Sequence, residues 1–538
     1  MRSLTPITLS LLKQLGTPLE TTQFQALCQR IADCEEPAAL SSLLPYLLDE
    51  RAERAHAARQ AAQRLLDHTR MEELGWLEQE LRSRSREGLY YFDASSLSGR
   101  WRNLHAGTLV RTSGEPGFFA LLAVSSFHDN GFVREMAVRL LDGCADGREL
   151  PYLLLRTNDW VPVVQRAAYA AVRRRVVPAY AEQFLRNIAL CDRLGTQRRN
   201  DLRSLHEAIW TLLRSSEARS ARQAAFTSAE RRVRRAAFLL SADSDDDLRT
   251  VILSALRSDD LWIRIWGVRT SRQRLYGAAL RETLGQARGD RSIPVRREAL
   301  LGFVSDHPEL LVSLLDPSPS LREMVRYYLR KSANLQFADV YHARIQAEAT
   351  GATGPGDSVR LAIAIAGLGE TGTKTDADSL TPFVRDVRPR VRQAALGAIG
   401  RLDAEGHFHT LTAALGDSSP RVVKVVLQAM GSRKTLAQRD ILNAYESQRN
   451  PLCRRHLVRA IGALARWTSI VGLLRACEDQ DHAVAEVAMR QVPKWCAAAN
   501  YSRPTAAECS AVLRLLSVSS LPTPQRSRVQ EIVQEWDR

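Results

Sequence analysis

Lysine is close to missing from this chain of 538 residues: only six stand among its 75 Lys and Arg, so nearly all the positive charge is guanidinium. Cysteine is sparse too. The eight cysteines (28, 34, 144, 191, 453, 477, 496 and 509) contain no CxxC pair, which argues against a secreted disulfide framework and for reduced core thiols in a cytoplasmic protein. No apolar run approaches the roughly 18 residues of a membrane span. The apolar stretch at residues 9–12 ends at Lys13 and is too short and broken for a secretory leader. Aromatics make up 6% of the chain. What is present has globular proportions, with 45% hydrophobic and 25% charged residues, and is dominated by Leu, Ala, Arg and Val. That mixture favours helices packed through small and aliphatic side chains.

Periodicity is the strongest signal. The segment Asp290-Arg-Ser-Ile-Pro-Val-Arg-Arg returns as Asp386-Val-Arg-Pro-Arg-Val-Arg-Gln, as Asp417-Ser-Ser-Pro-Arg-Val and, more loosely, at Asn450-Pro-Leu-Cys and Asp479-Gln-Asp-His-Ala-Val. Anchored on the central apolar residue, Val359, Val391, Val422, Cys453 and Val484 are spaced by 32, 31, 31 and 31; Val133 and Val163 lie 30 apart, and Val233, Ile263 and Val295 are spaced by 30 and 32. In each unit a Pro or polar residue after the Asp ends one helix and opens the next. Apolar residues then recur at helical spacing, as at Val391, Ala394, Ala395, Ala398 and Ile399. Two such helices cannot bury their apolar faces alone, so the units must stack.

Val359-Arg-Leu-Ala-Ile-Ala-Ile-Ala-Gly-Leu-Gly369 and Val391-Arg-Gln-Ala-Ala-Leu-Gly-Ala-Ile-Gly400 resemble HEAT repeats, especially the short bacterial, phycobilisome-lyase-like form. The pattern covers roughly residues 126–495. The resemblance implies an all-α, right-handed α-solenoid of stacked antiparallel helix pairs. It further implies that Asp290/Arg296, Asp316/Arg322 and Asp386/Arg392, each six apart, form a ladder between neighbouring units, which sets those arginines aside as structural. Along the chain the expected order is an irregular helical cap (1–125), a basic solenoid half (126–346), a Gly-rich hinge (347–357), then regular repeats with a C-terminal cap (358–538). An aromatic, Gly-rich loop or hairpin is expected near 88–117.

Residues 161–330 carry 30 Arg and Lys against 19 Asp and Glu, which is most of the chain's excess of +15. Repetition would set arginines in rows. Arg173, Arg174, Arg198, Arg199, Arg231, Arg232, Arg235, Arg269, Arg272 and Arg274 are the candidates for binding a polyanion, since guanidinium suits phosphate oxygens and phosphate contacts release counterions. Trp160, Trp262, Tyr90, Tyr91 and Trp101 are candidate aromatic anchors. The expected function is a non-enzymatic scaffold for nucleic acid, with an acidic or helical protein partner as the alternative. No membrane partner, cofactor, metal or catalytic residue is expected.

Three weaker patterns compete with the repeat. Residues 362–375 resemble a phosphate loop, but Thr373 separates Gly372 from Lys374 where a Walker loop needs them adjacent. The pair His407 and His409 lacks further ligands at useful spacing. Asp259-Asp-Leu-Trp262-Ile-Arg264 resembles a segment of the HEAT-like alkylpurine DNA glycosylases, a third reading that would need a carboxylate such as Asp159 or Asp260.

Overall fold

The computed structural model describes residues 4–87, 97–197, 199–330, 335–350, 357–498 and 502–537. These form 34 α-helices and short 3-10 turns, with no strand among the described residues. The chain divides into two compact units, Met1–Ala287 and Arg288–Arg538. The division falls well before the expected hinge. Residues 347–357, of which 351–356 lie outside the described residues, join the helices Phe337–Thr350 and Asp357–Thr371. Those two helices pack on each other so closely that a Cβ on Gly367 would sit 2.2 Å from the Tyr341 ring. The Gly-rich stretch therefore lies within one helix pair. The expected hairpin differs as well: residues 88–96 lie outside the described residues, but Leu97–Arg102 and Ala106–Arg111 are helices.

Local sequence explains the helix starts. Pro162, Pro389, Pro420 and Pro451 each open a helix, where a fixed φ helps and the missing N–H costs nothing. Asn130, Asp260, Asn450 and Asp481 cap their helices by accepting from a backbone N–H in the first turn. The anchors Val133, Val233, Ile263, Val295, Val391, Val422, Cys453 and Val484 are all buried. Two anchors are displaced. Val163 is exposed while its neighbour Val164 is buried, and Val359 is half-buried while Leu361 fills the core.

An arginine ladder ties successive pairs together. Arg392 donates through one guanidinium nitrogen to the Asp386 carbonyl at 2.8 Å, and through the other edge to both Asp417 carboxylate oxygens at 2.7 and 2.9 Å. The same geometry recurs at Arg134, with the His128 carbonyl and Asp159; at Arg296, with the Asp290 carbonyl and Asp316; and at Arg454, with the Gln448 carbonyl and Asp479. Each guanidinium fork thus satisfies its own loop and the next one. Position 423, where the ladder arginine would stand, is a buried valine. There Gln448 and Asn450 donate instead to the Asp417 and Ser418 carbonyls, at 3.0 and 3.1 Å. Arg322 meets Glu370 rather than a loop aspartate.

Candidate functional site

The arginines singled out by sequence do not form an open row of charge. Arg174 pairs with Asp142. Arg232 pairs with Asp192 at 2.9 Å and Glu72 at 3.4 Å. Arg235 is bidentate to Asp260 at 3.0 Å on both oxygens, with Arg231 facing the same carboxylate at 3.8 Å. Arg274 donates to the Ala242 carbonyl at 2.6 Å and lies 4.0 Å from Asp243. Arg235 is therefore a rung of the ladder, a correction to its placement among the binding arginines. In its repeat, Arg234 takes the loop carbonyl of Ser228 and Arg235 takes the carboxylate of the next loop. Arg173, Arg199, Arg269 and Arg272 are exposed, and Arg198 lies outside the described residues.

The aromatic candidates separate in the same way. Trp101 is 5% exposed and packs edge-on to His128, so it is core rather than anchor. Trp160 is 47% exposed, but the guanidiniums of Arg82 and Arg134 each lie 4.2 Å from its ring centroid. Trp262 is half-exposed under Arg235, whose guanidinium is 4.8 Å from the ring centroid. Tyr90 and Tyr91 lie outside the described residues.

The two carboxylates that a glycosylase reading needs are both engaged in structure. Asp159 is buried and takes Arg134, Arg156 and the Val161 amide. Burial pushes its carboxyl up, but these donors outweigh it and hold the pKa below the usual aspartate value. Asp260 caps Trp262 N–H at 2.9 Å while holding Arg235. Residues 362–371 lie inside the Asp357–Thr371 helix, so no strand precedes the would-be phosphate loop. His407 faces Asp378 at 3.2 Å. Among the described residues no group of three metal-ligating side chains occurs, and no helix is long and apolar enough to cross a membrane.

A groove in the second unit gathers the features that sequence reading scattered. Its volume is about 550 Å³. It runs over the second helices of successive pairs: Pro319–Arg330, Asp357–Thr371, Pro389–Leu402 and Pro420–Met430. The floor is small and apolar, with Val359, Ala362, Ile363, Ala366, Ala394, Gly397 and Val425. Arg390, Gln393, Ala394, Gly397 and Arg401 recur at three- and four-residue steps on one helix face. Close helix contact deepens the trough: a Cβ on Gly369 would stand 2.5 Å from that of Ala398. The charged lining is four arginines, 322, 390, 401 and 421, against one carboxylate, Glu370.

That carboxylate is already taken by Arg322, and by Arg326 at 2.9 Å. Burial pushes Glu370 up, yet the two guanidiniums keep its pKa below the ordinary glutamate value. Arg401 donates to the Gly369 carbonyl at 3.3 Å, and burial lowers its pKa. Arg390 and Arg421 are exposed and have no ion-pair partner among the described residues. Sequence reading missed both, because it followed arginine density in residues 161–330. The signal was available: an arginine directly before the buried anchor, at 390 and again 31 residues later at 421.

No protein-family model matches the chain, and no curated protein does. Among solved structures it is similar to Kap95p in a structure with RanGDP, at 14% identity and a TM-score of 0.32, covering 93% of this chain and 66% of that one. The chain thus spans about two thirds of that protein's length. It is also similar to importin beta in an ammonium sulfate condition, at 11% identity and a TM-score of 0.35, covering 97% and 72%. Against the CpcE–CpcF complex of the phycocyanin lyase from Nostoc sp. PCC7120 the identity is 19% and the TM-score 0.21, covering 46% and 94%. At these scores the likenesses speak to neither partner nor activity. The helix pairs, the thirty-one-residue beat and the ladder come from the chain itself. The fold is that of a HEAT-repeat array. In such an array the second helices of neighbouring pairs line one surface, which is where the groove lies.

Proposed function

We propose that this protein is a binding scaffold whose second unit holds an acidic, amphipathic segment of a protein partner. One observation carries the reading: the groove's small apolar floor is edged by Arg390 and Arg421, whose charge nothing in the described structure neutralises. Apolar side chains of the partner would enter over Ala362, Ala366, Ala394 and Gly397, while its carboxylates meet the arginines. Nucleic acid is the competing reading, and it rests on Arg173, Arg199, Arg269 and Arg272. Five other arginines assigned to it, 174, 231, 232, 235 and 274, already face carboxylates. The floor of the groove also offers a phosphate backbone little to contact.

Fluorescence anisotropy with a labelled Glu/Leu amphipathic peptide tests this against a Lys/Leu peptide of the same pattern and a labelled DNA duplex. The acidic peptide is expected to bind, with affinity at least tenfold weaker in Arg390→Glu/Arg421→Glu and in Ala394→Phe. Tighter binding of the duplex, lost in Arg269→Glu/Arg272→Glu and untouched by the groove variants, would replace this reading with the nucleic-acid one.

A further inference from the structure

The first unit holds a second site, independent of the groove. Three guanidiniums there share two carboxylates. Arg82 faces Glu78 at 2.7 Å, Arg134 takes both oxygens of Asp159 at 2.9 Å, and Arg156 bridges Asp159 at 2.9 Å and Glu78. The Arg134 and Asp159 side chains are fully buried, and Arg156 is 3% exposed. Buried charge is tolerated when it is paired, and in this cluster the cations outnumber the anions.

Beside the cluster opens a cleft of about 190 Å³, lined by Arg156, Asn158, Trp160, Arg193, Gln197 and Arg199 among others. Two buried polar atoms of this lining have no hydrogen-bond partner: Nε of Arg156, a donor, and Oδ1 of Asn158, an acceptor. The Asn158 amide nitrogen already donates to Gln197 at 2.7 Å, which fixes the side chain. Arg193 and Arg199 are exposed and form no ion pair among the described residues. The Glu78 and Asp159 carboxylates also line the cleft but are held by Arg82, Arg134 and Arg156, so the walls present several donors and one unpaired acceptor, in a space below the roughly 300–1,000 Å³ of drug-sized pockets.

We propose that this cleft binds a small oxyanion, a carboxylate or phosphate, that also carries a hydroxyl or ammonium donor. The oxyanion meets Arg193, Arg199 and the free edge of Arg156, and supplies the negative charge the buried cluster lacks. The donor meets Oδ1 of Asn158. Trp160, which shares the lining and carries two of the cluster's guanidiniums on its ring, reports occupancy.

Isothermal titration calorimetry of the full chain with L-malate, inorganic phosphate and glycerol tests the assignment. Malate, which combines carboxylates with a hydroxyl, is expected to bind at one site, phosphate more weakly, and glycerol not at all. Arg193→Gln/Arg199→Gln should weaken malate at least tenfold with an unchanged melting temperature, while Arg173→Gln leaves it intact. Malate should shift tryptophan emission, and Trp160→Phe should abolish that shift while keeping binding. Phosphate binding tighter than malate, with the same sensitivity to the double variant, would assign the phosphate form of the oxyanion. Failure of both anions to bind, or binding unmoved by the double variant, overturns the proposal.

Discussion

The two units divide their arginines differently. In the first, arginines are dense and five of the ten singled out face carboxylates, among them Arg174 on Asp142, Arg232 on Asp192 and Arg235 on Asp260. In the second they are fewer, yet Arg390 and Arg421 stand unpaired over an apolar trough. Arginine density therefore does not measure available charge. In the second unit register decides: Arg390 and Arg421, directly before buried anchors, face outward, while Arg392 and Arg454, directly after them, turn into the ladder. In the first unit Arg232 holds the outward register before Val233 and is paired all the same, with Asp192 and Glu72.

The sharpest test of that contrast is Asp159→Ala. It strands the guanidiniums of Arg134 and Arg156 in a buried setting, and is expected to lower unfolding free energy by about 3–5 kcal/mol, read by chemical denaturation. Arg235→Glu comes next. Set against Asp260, the new charge should cost about 3 kcal/mol, whereas Arg173→Glu on the open surface should stay within about 0.5 kcal/mol. Equal effects would erase the distinction between ladder and surface. Arg392→Ala and Arg390→Ala, only two residues apart, sharpen it further. The first should lower the melting temperature and leave acidic-peptide affinity unchanged in the folded fraction; the second should do the reverse.

Acid provides a graded version of the same comparison. Burial raises, and arginines more than offset, the carboxyls of Asp159, Asp260 and Asp479, which lie below the ordinary value of 3.8. The unfolded chain then takes up these protons first. The stability the pairs contribute is complete above about pH 3.8 and drains away as pH falls through their folded values. A circular-dichroism pH titration should show a shallower acid limb in Asp159→Asn than in the parent. A smaller effect is expected at the Val422 repeat, where a valine stands in place of the ladder arginine. Gln448→Ala leaves the Asp417 carbonyl without its 3.0 Å donor and should cost about 1 kcal/mol.

Much of the fold was legible in the residues. Proline-opened helices, most anchors at about thirty-one-residue spacing, and the ladder at Arg296 and Arg392 stand where the pattern put them. The misses were local. The spacing points to Val163 but Val164 is the buried residue, because two adjacent valines satisfy the same helical periodicity. The Gly-rich stretch at 347–357 suggested a hinge by composition, but Tyr341 against Gly367 binds its two flanking helices into one pair. Trp101 sat in a segment without periodicity, so nothing in the sequence said that it turns inward. Pairing was the least legible feature, since net charge over a window counts guanidiniums whether or not a carboxylate waits nearby, as it does for five of the ten candidate arginines.

Sequence alone determined that this chain stacks helix pairs, since periodicity and helix-start chemistry act within about thirty residues. It also determined that arginine, not lysine, carries the charge. Only tertiary structure decided which of those arginines are free. Each ladder arginine finds its carboxylate some twenty to twenty-five residues onward, as Arg392 finds Asp417 and Arg296 finds Asp316. Whether a given guanidinium is paired depends on how neighbouring loops stack, and the hollow over Ala394 and Gly397 exists only once four helices lie side by side.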